Sequence, residues 1–221
     1  ERMQGEQLNN AKLTKKEKLW CKEEIARIIA KFHKVQNNKF GYIQNQLYDN
    51  WHIALRSMTL NLIHDTERVG RKTKRGEKLL KYIDEHKDIL ESVTCSMVNF
   101  DMWYGNILCT RKNDKLELIV IDPERTVWGD SIFDFVNLEF EKMLNKKATS
   151  LIAYNETAKI EVNGTKEEMI RFALGLGYLA LIQETEKYYR YTPCHFGWWR
   201  NVASCKFLYS NAFRILKYGT N

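Results

Sequence analysis

The sequence predicts an α+β chain, mainly helical, with one small β-hairpin near its middle. Three observations carry that expectation. Apolar residues recur at helical spacing over long stretches, two of which open on capping boxes. Only between about 93 and 122 does the pattern change to short β-rich runs. Two prolines among 221 residues are few for a loop-rich or disordered chain.

The elements follow in order. Thr14-Lys-Lys-Glu17 is a capping box, in which hydroxyl and carboxylate satisfy free N–H groups at a helix start. Behind it Ile25, Ile28, Ile29, Phe32 and Val35 share a face, so a helix is expected over about 15–36. Trp51, Leu55, Met58 and Leu62 set a second helix over about 46–66, and a third is expected over about 74–91. Val93–Val98 is a short apolar run. Asn106–Thr110 and Leu116–Asp122 flank a polar turn, which is the hairpin signal. An irregular stretch to about 130 and a helix over about 131–145 come next. Asn163-Gly164 marks a turn, and the capping box Thr165-Lys-Glu-Glu168 opens a helix over about 166–190. Its centre, FALGLGYLALI, is apolar nearly all round and is expected to be central and buried. A last helix covers about 199–217.

Length fits one domain, and 44% apolar residues supply a sizeable core. No apolar run reaches the roughly 18 residues of a membrane span, and the polar start ERMQGEQLNN has no signal-peptide core. The five cysteines are scattered, with no CxxC pair, which reads as reduced thiols in a cytoplasmic protein. Asn155-Glu-Thr157 and Asn163-Gly-Thr165 match the glycosylation triplet by chance on that reading. The net charge of +7 permits anionic partners without demanding them. The basic run from Arg68 to Lys81 has no interleaved aromatic platform and reads as a solvated face, so nucleic acid is not an expected partner.

The chemistry lies in NFDMWYGNIL, residues 99–108, and in IDPE, 121–124. Asp101 falls in a loop before a strand, Asn106 at the mouth of that strand, and Asp122 at the end of the paired strand. A hairpin sets its open ends side by side, so two carboxylates and an amide oxygen converge. Hard oxygen ligands of that kind suit Mg²⁺, which takes one or two carboxylates plus substrate phosphates. A carboxylate left off the metal can orient a hydroxyl, and together these serve phosphoryl transfer. By spacing alone such residues read more often as turn or cap residues.

NFDMWYGNIL followed by VIDPERTVWGDSIFDF resembles the aminoglycoside phosphotransferase–choline kinase family, whose cores are relatives of protein kinases. The family loop has the form HxDxxxxN, and its later segment reads IDxE…GDxxxD. GYIQNQLYDNWHIALRSMTLNLIHDTERVG is similar to the substrate-side helices of bacterial members, LIQETEKYYR to their late core helix, and ERMQGEQL to the hinge after the small nucleotide lobe. The resemblance covers nearly the whole chain but one lobe of the family fold. It implies that residues 1–221 are a single C-terminal, acceptor-binding lobe, with 1–10 as hinge, and that such a lobe is inactive without its N-terminal partner lobe.

On this resemblance Asp101 is the catalytic base, Asn106 and Asp122 hold Mg²⁺ and the phosphates of ATP, and Met3 and Gly5 border the adenine pocket. Trp103 and Glu124 are candidates for contact with the acceptor. The partners are then a nucleotide and a small molecule bearing a hydroxyl, such as an aminoglycoside, amino alcohol or sugar, seated between the catalytic loop and the helices over about 46–90 and 170–215. Asn99 stands where the family has histidine. Asp130 and Asp134 match the later aspartates, and their place at a helix start reads first as structural. The alternative to an enzyme is a non-catalytic lobe kept for binding a ligand or partner. A protein kinase is disfavoured, because Pro-Glu rather than Phe-Gly follows Asp122. The five histidines have no metal spacing, and Cys194-His195 with Cys205 makes a poor zinc set.

Overall fold

The computed structural model describes residues 4–113, 115–139 and 144–218. Met3 lies outside the described residues.

Chain order begins with a two-residue strand β1 (Glu6–Gln7) and helix α1 (Lys15–His33). The Thr14 capping box is formed in both directions, with Glu17 N–H donating to the threonine hydroxyl at 3.3 Å and Thr14 N–H to the glutamate at 2.8 Å. Strand β2 (Gly41–Tyr42) precedes α2 (Trp51–Arg68). This helix starts at 51 rather than 46. Phe40 and Tyr48 first bridge through backbone hydrogen bonds, and Asn50 then caps the helix by accepting from Ile53 N–H at 2.9 Å. The third expected helix is two, α3 (Lys74–Glu85) and α4 (Lys87–Glu91), because His86 leaves helical geometry at φ −109°, ψ 27°.

Strand β3 (Cys95–Val98) leads to the hairpin β4 (Ile107–Lys112) and β5 (Lys115–Val120), then β6 (Val127–Asp130). The stretch expected to be irregular up to 130 thus holds a strand. Helix α5 (Ile132–Leu138) is shorter than the expected 131–145, and residues 140–143 lie outside the described residues. A short α6 (Thr149–Asn155), which apolar spacing does not announce, precedes α7 (Lys166–Arg190) and α8 (Phe196–Tyr218).

The hairpin is part of a three-stranded sheet, β1-β4-β5, because β1 pairs along β4. A second antiparallel sheet, β2-β6-β3, pairs Cys95 with Asp130 and Val98 with Val127. That register matters for the site. It starts residues 99–106 beside the turn that carries 122–126.

Helix α7 is the axis of the helical body, as its apolar composition requires. Phe172 to Ile182 are buried without a break. Its two central glycines allow close approach. A Cβ at Gly175 would come within 2.7 Å of Val136, and one at Gly177 within 2.6 Å of Leu79. Helices α5 and α3 therefore lie against α7 at a distance that a larger residue would open. No helix among the described residues is long and apolar enough to cross a membrane. Of the five free cysteines only Cys194 is exposed.

Candidate active site

Residues 99–106 leave β3 and return into β4 as a loop closed by its own polar groups. Asn99 Oδ1 accepts from Asp101 N–H at 3.0 Å. Trp103 N–H donates to the Asp101 carbonyl at 2.8 Å, and Asn106 N–H to the Trp103 carbonyl at 2.9 Å, within a 3-10 turn at Tyr104–Asn106. Asn106 therefore stands in that turn, one residue before the strand it was expected to begin. Its Nδ2 donates to the Asp101 carboxylate at 2.9 Å and to the Asp101 carbonyl at 3.2 Å.

Between Asn99 and Asp101, Phe100 sits in left-handed backbone at φ 57°. A bulky residue adopts that conformation only when its surroundings over-determine it. Here they do. Asp134 accepts from Phe100 N–H at 2.7 Å and from Asn99 N–H at 3.2 Å. Asn137 Nδ2, one turn along α5, donates to the Phe100 carbonyl at 2.9 Å. The Phe100 ring packs on Phe133 and Tyr178, with centroids 5.3 and 5.7 Å away. Asp134, fully buried, takes a further bond from His33 Nε2 at 3.0 Å. An ionised carboxylate only accepts, so that nitrogen carries the proton and Nδ1, 2.9 Å away, accepts from the Tyr154 hydroxyl. Asp134 is thus structural, as expected, but it braces the loop 99–106 instead of capping its own helix. Asp130 does take the expected role. Its Oδ1 accepts from Ile132 N–H at 3.0 Å and from Arg171 Nη1 at 2.7 Å.

Across from this loop, Ile121 N–H donates to the Asn106 carbonyl at 2.9 Å, which brings Asp122 to the same edge as Asn106. Asp122 also has left-handed backbone, at φ 57°. Its side chain is exposed and has no hydrogen bond or ion pair among the described residues. Burial pushes the Asp101 carboxyl up, Arg125 and the Asn106 amide pull it back down, and the nearby Asp122 charge adds to the upward push. Asp101, Asn106 and Asp122 therefore share one electrostatic neighbourhood.

Arg125 was not singled out by sequence reasoning. Its Nε lies 3.7 Å from Asp101 Oδ2, and its Nη2 donates to Glu186 at 2.5 Å. It also closes one side of a cavity of about 610 Å³ whose other walls come from β2, α2 and α7, including Tyr42, Ser57, Asn61, Tyr178 and Glu186. The cavity's lining draws on the segments 46–90 and 170–215, between which the acceptor was expected, but on no residue of the loop 99–106. Trp103 and Glu124 do not line it. The Trp103 ring is 48% exposed and covers Gly105, where a Cβ would come within 2.1 Å of it. The Glu124 side chain is exposed, and its carbonyl accepts from Gln44 at 3.5 Å. Gly5 lies against Leu108 and Cys109 on β4.

The donor set suits a hard cation that completes its shell with phosphate oxygens. It offers the exposed carboxylate of Asp122 and the Oδ1 of Asn106, whose Nδ2 is already committed to Asp101. No group of three His, Cys, Asp or Glu side chains able to hold a metal occurs among the described residues. The basic run stays a solvated face, where Arg75 lies over Tyr209 at 5.6 Å and Lys78 over Phe213 at 4.6 Å.

Sequence reasoning missed His33, Asn137, Tyr154, Arg125 and Glu186. Asn137 was within reach, since it lies three residues after Asp134 on one helix face. His33 and Tyr154 come from helices remote in sequence and carry no local signal.

No protein-family model matches this sequence, and no curated protein matches it. Solved structures do match. An aminoglycoside phosphotransferase-like protein from Ralstonia eutropha JMP134 superimposes with a TM-score of 0.63 at 12% identity, over 97% of this chain and 72% of its own. Ethanolamine kinase from Plasmodium vivax gives 0.54 at 13% identity, over 100% of this chain and 65% of its own. The aminoglycoside phosphotransferase APH(2'')-Ib, solved with ADP bound, gives 0.51 at 18% identity, over 95% and 70%. The chain has the fold of these small-molecule phosphotransferases and spans about two thirds of their length.

Proposed function

We propose that this chain is the acceptor-binding lobe of an ATP-dependent phosphotransferase that moves the terminal phosphoryl group of ATP to a hydroxyl of a small molecule. The observation that carries the reading is the convergence of Asp101, Asn106 and Asp122 at one edge, with Asp101 held by a loop whose every turn is hydrogen-bonded.

Asp101 presents its carboxylate at the end of that loop, oriented by the Asn106 amide and backed by Arg125. An acceptor reaching past Arg125 from the cavity would hydrogen-bond its hydroxyl to this carboxylate, which would aim the oxygen and take its proton as the O–P bond forms. The loose transition state of phosphoryl transfer asks mainly for such positioning, so a carboxylate of modest basicity suffices. The balance is ATP plus R–OH giving ADP, R–O–phosphate and a proton. Asp122 and Asn106 would hold Mg²⁺, which when bound neutralises charge on the phosphates. The fold shared with three phosphotransferases, each below 20% identity, supports the reading by analogy. Gly5 and Met3 remain candidates for the adenine side, and the cytoplasm is the compartment we propose.

The test is an acceptor panel coupled to ADP release. Asp101→Asn is expected to lower turnover by roughly 10²–10⁴-fold with the fold intact. Near-native turnover in that variant would remove the base from the mechanism. A chain that binds no Mg·ATP at any concentration would favour the non-catalytic binding lobe.

A further inference from the structure

We propose that the outward face of α8 docks the protein on an anionic phospholipid surface. The inference draws on a region away from the proposed phosphotransfer site and does not depend on that reading.

The exposed residues of α8 recur at helical spacing and share one side of the helix. Four are aromatic: Phe196, Trp199, Phe207 and Tyr218 are 78, 60, 46 and 64% exposed. Four are cations, Arg200, Lys206, Arg214 and Lys217, and the remaining two, Ala203 and Ser210, are small. The opposite side, with Cys205, Leu208, Tyr209 and Ala212, is buried where the helix packs on α7. Trp199 Nε1 donates to the Pro193 carbonyl at 2.9 Å, so the polar edge of that ring is satisfied while its apolar area faces out.

No acid occurs in α8, nor anywhere from Lys187 to Asn221, although 28 of the 221 residues are acids. The four cations make no ion pair among the described residues. The carboxylates that border the helix leave this face positive. Glu184 is buried beneath it and accepts from the Tyr209 hydroxyl at 3.0 Å. Asp65, whose carbonyl accepts from Tyr189 beside the start of α8, pairs with Arg68 at 2.7 Å. Glu77 and Glu85 line a cavity between α3 and the end of α8, where Lys74, Lys78, Lys81 and Lys217 outnumber them.

A face both aromatic and cationic, with no carboxylate of its own, calls for a partner that is apolar and anionic together. A phospholipid surface is such a partner. Aromatic rings settle at the level of the headgroups, and lysine and arginine stems reach the lipid phosphates. The face runs the length of the helix, about 34 Å, so α8 would lie along the surface. A second copy presenting the same face would set cations against cations. Single-stranded nucleic acid takes a groove that follows its backbone, whereas this face is the ridge of one helix.

The experiment sediments the chain with vesicles of phosphatidylcholine alone and of phosphatidylcholine with about 30% phosphatidylserine, at about 50 and about 500 mM salt. Binding is expected to the anionic vesicles only, and to weaken at least tenfold at the higher salt. Arg200→Ala with Lys206→Ala and Arg214→Ala is expected to weaken it about 30-fold or more. Lys15→Ala with Lys16→Ala and Lys18→Ala removes the same charge from the start of α1 and is expected to change it less than about threefold. All six side chains are exposed, and both variants are expected to melt with the parent. Tryptophan emission is expected to shift to the blue on the anionic vesicles. Trp199→Phe is expected to lose most of that shift and still to sediment. Failure to bind the anionic vesicles overturns the inference, as does equal binding to both lipids. Equal weakening by the two triple variants, or a blue shift that survives Trp199→Phe, shows that another face makes the contact. An oligouridine bound more tightly than the anionic lipid, or a lipid-free dimer that Trp199→Ala breaks, gives the face to nucleic acid or to a second copy. No arm reads phosphate transfer, so the failure of either proposal leaves the other standing.

Discussion

Phe100 and Asp122 share a backbone conformation and almost nothing else. Each is a non-glycine residue at φ 57°, and each stands at an end of the cleft edge where the chemistry is proposed. Phe100 is 1% exposed, its amide is bonded to the buried carboxylate of Asp134 and its carbonyl to the half-buried side chain of Asn137, both on α5. Asp122 is exposed, and its carboxylate has no partner among the described residues. A left-handed residue costs on the order of 1 kcal/mol, and the fold offsets it at these two places by different means. At Phe100 the offset is packing and hydrogen bonds made on folding. At Asp122 the side chain makes none, and the residue type itself softens the strain, since aspartate tolerates this region better than bulky residues do. The proposed base side of the site is therefore built by folding, whereas the proposed phosphate side is left as an open charge. Substitutions on the two sides are expected to separate accordingly.

The largest effect is expected at Asp134. Asp134→Ala removes the acceptor for two loop amides and for His33, and leaves them buried. Breaking a buried charged partner of that kind costs about 3–5 kcal/mol. Denaturant midpoints would measure it, and a loss below about 1 kcal/mol would mean that the brace does not hold the loop. Asn137→Ala is expected to cost less, about 1–2 kcal/mol, because it orphans only the Phe100 carbonyl. It breaks the comparison if it weakens nucleotide binding while leaving stability unchanged, since its side chain points to the base side alone.

How much of this was legible in the sequence follows the same division. Both capping boxes, the full span of α7, the hairpin and the fold class could be read, because each is written in local periodicity or in residues three or four apart. The loop residues Asp101 and Asn106 and the turn residue Asp122 were legible for the same reason, as a pattern along the chain. The brace was not. His33 closes α1 and Asp134 lies 101 residues further on, and only the packing of α1 against α5 brings them together. The strands β1, β2 and β6 were missed because two or four residues give no alternation to count. The break at His86 and the late start of α2 were boundaries set by tertiary contacts and by the Asn50 cap, which helical spacing does not encode.

Asp101 sits between the two sides, and its expected effect on stability is small and opposite in sign. Burial raises its carboxyl above the ordinary aspartate range, so the folded chain holds that proton more tightly than the unfolded chain does. Above the folded value the buried carboxylate therefore costs stability. The cost fades as pH falls through that value and is gone below the ordinary one, about 3.9. Asp101→Asn removes the charge and keeps an oxygen for the Asn106 amide. It is expected to fold with equal or higher stability at pH 7, by up to about 1 kcal/mol, and to lose that advantage near pH 4. A variant that is destabilised at pH 7 would mean that the Arg125 contact outweighs burial, and that the site is balanced for folding as well as for chemistry.

The smallest change in stability is expected at Asp122, and it sharpens the comparison most. Asparagine is the natural replacement, because it accepts left-handed backbone at least as readily as aspartate. With no partner to lose, Asp122→Asn is expected to shift stability by less than about 0.5 kcal/mol in either direction. The lost negative charge also removes one of the pushes on Asp101, so the Asp101 carboxyl is expected to titrate at lower pH in the variant. Carbon-13 NMR of the aspartate side chains would follow that shift without nucleotide present. Binding of Mg·ATP is expected to fall at least tenfold. A variant that loses stability as Asp134→Ala does would show that Asp122, too, is held by folding. A variant that keeps its metal-dependent nucleotide binding would show that the open charge at this turn is not the phosphate side at all.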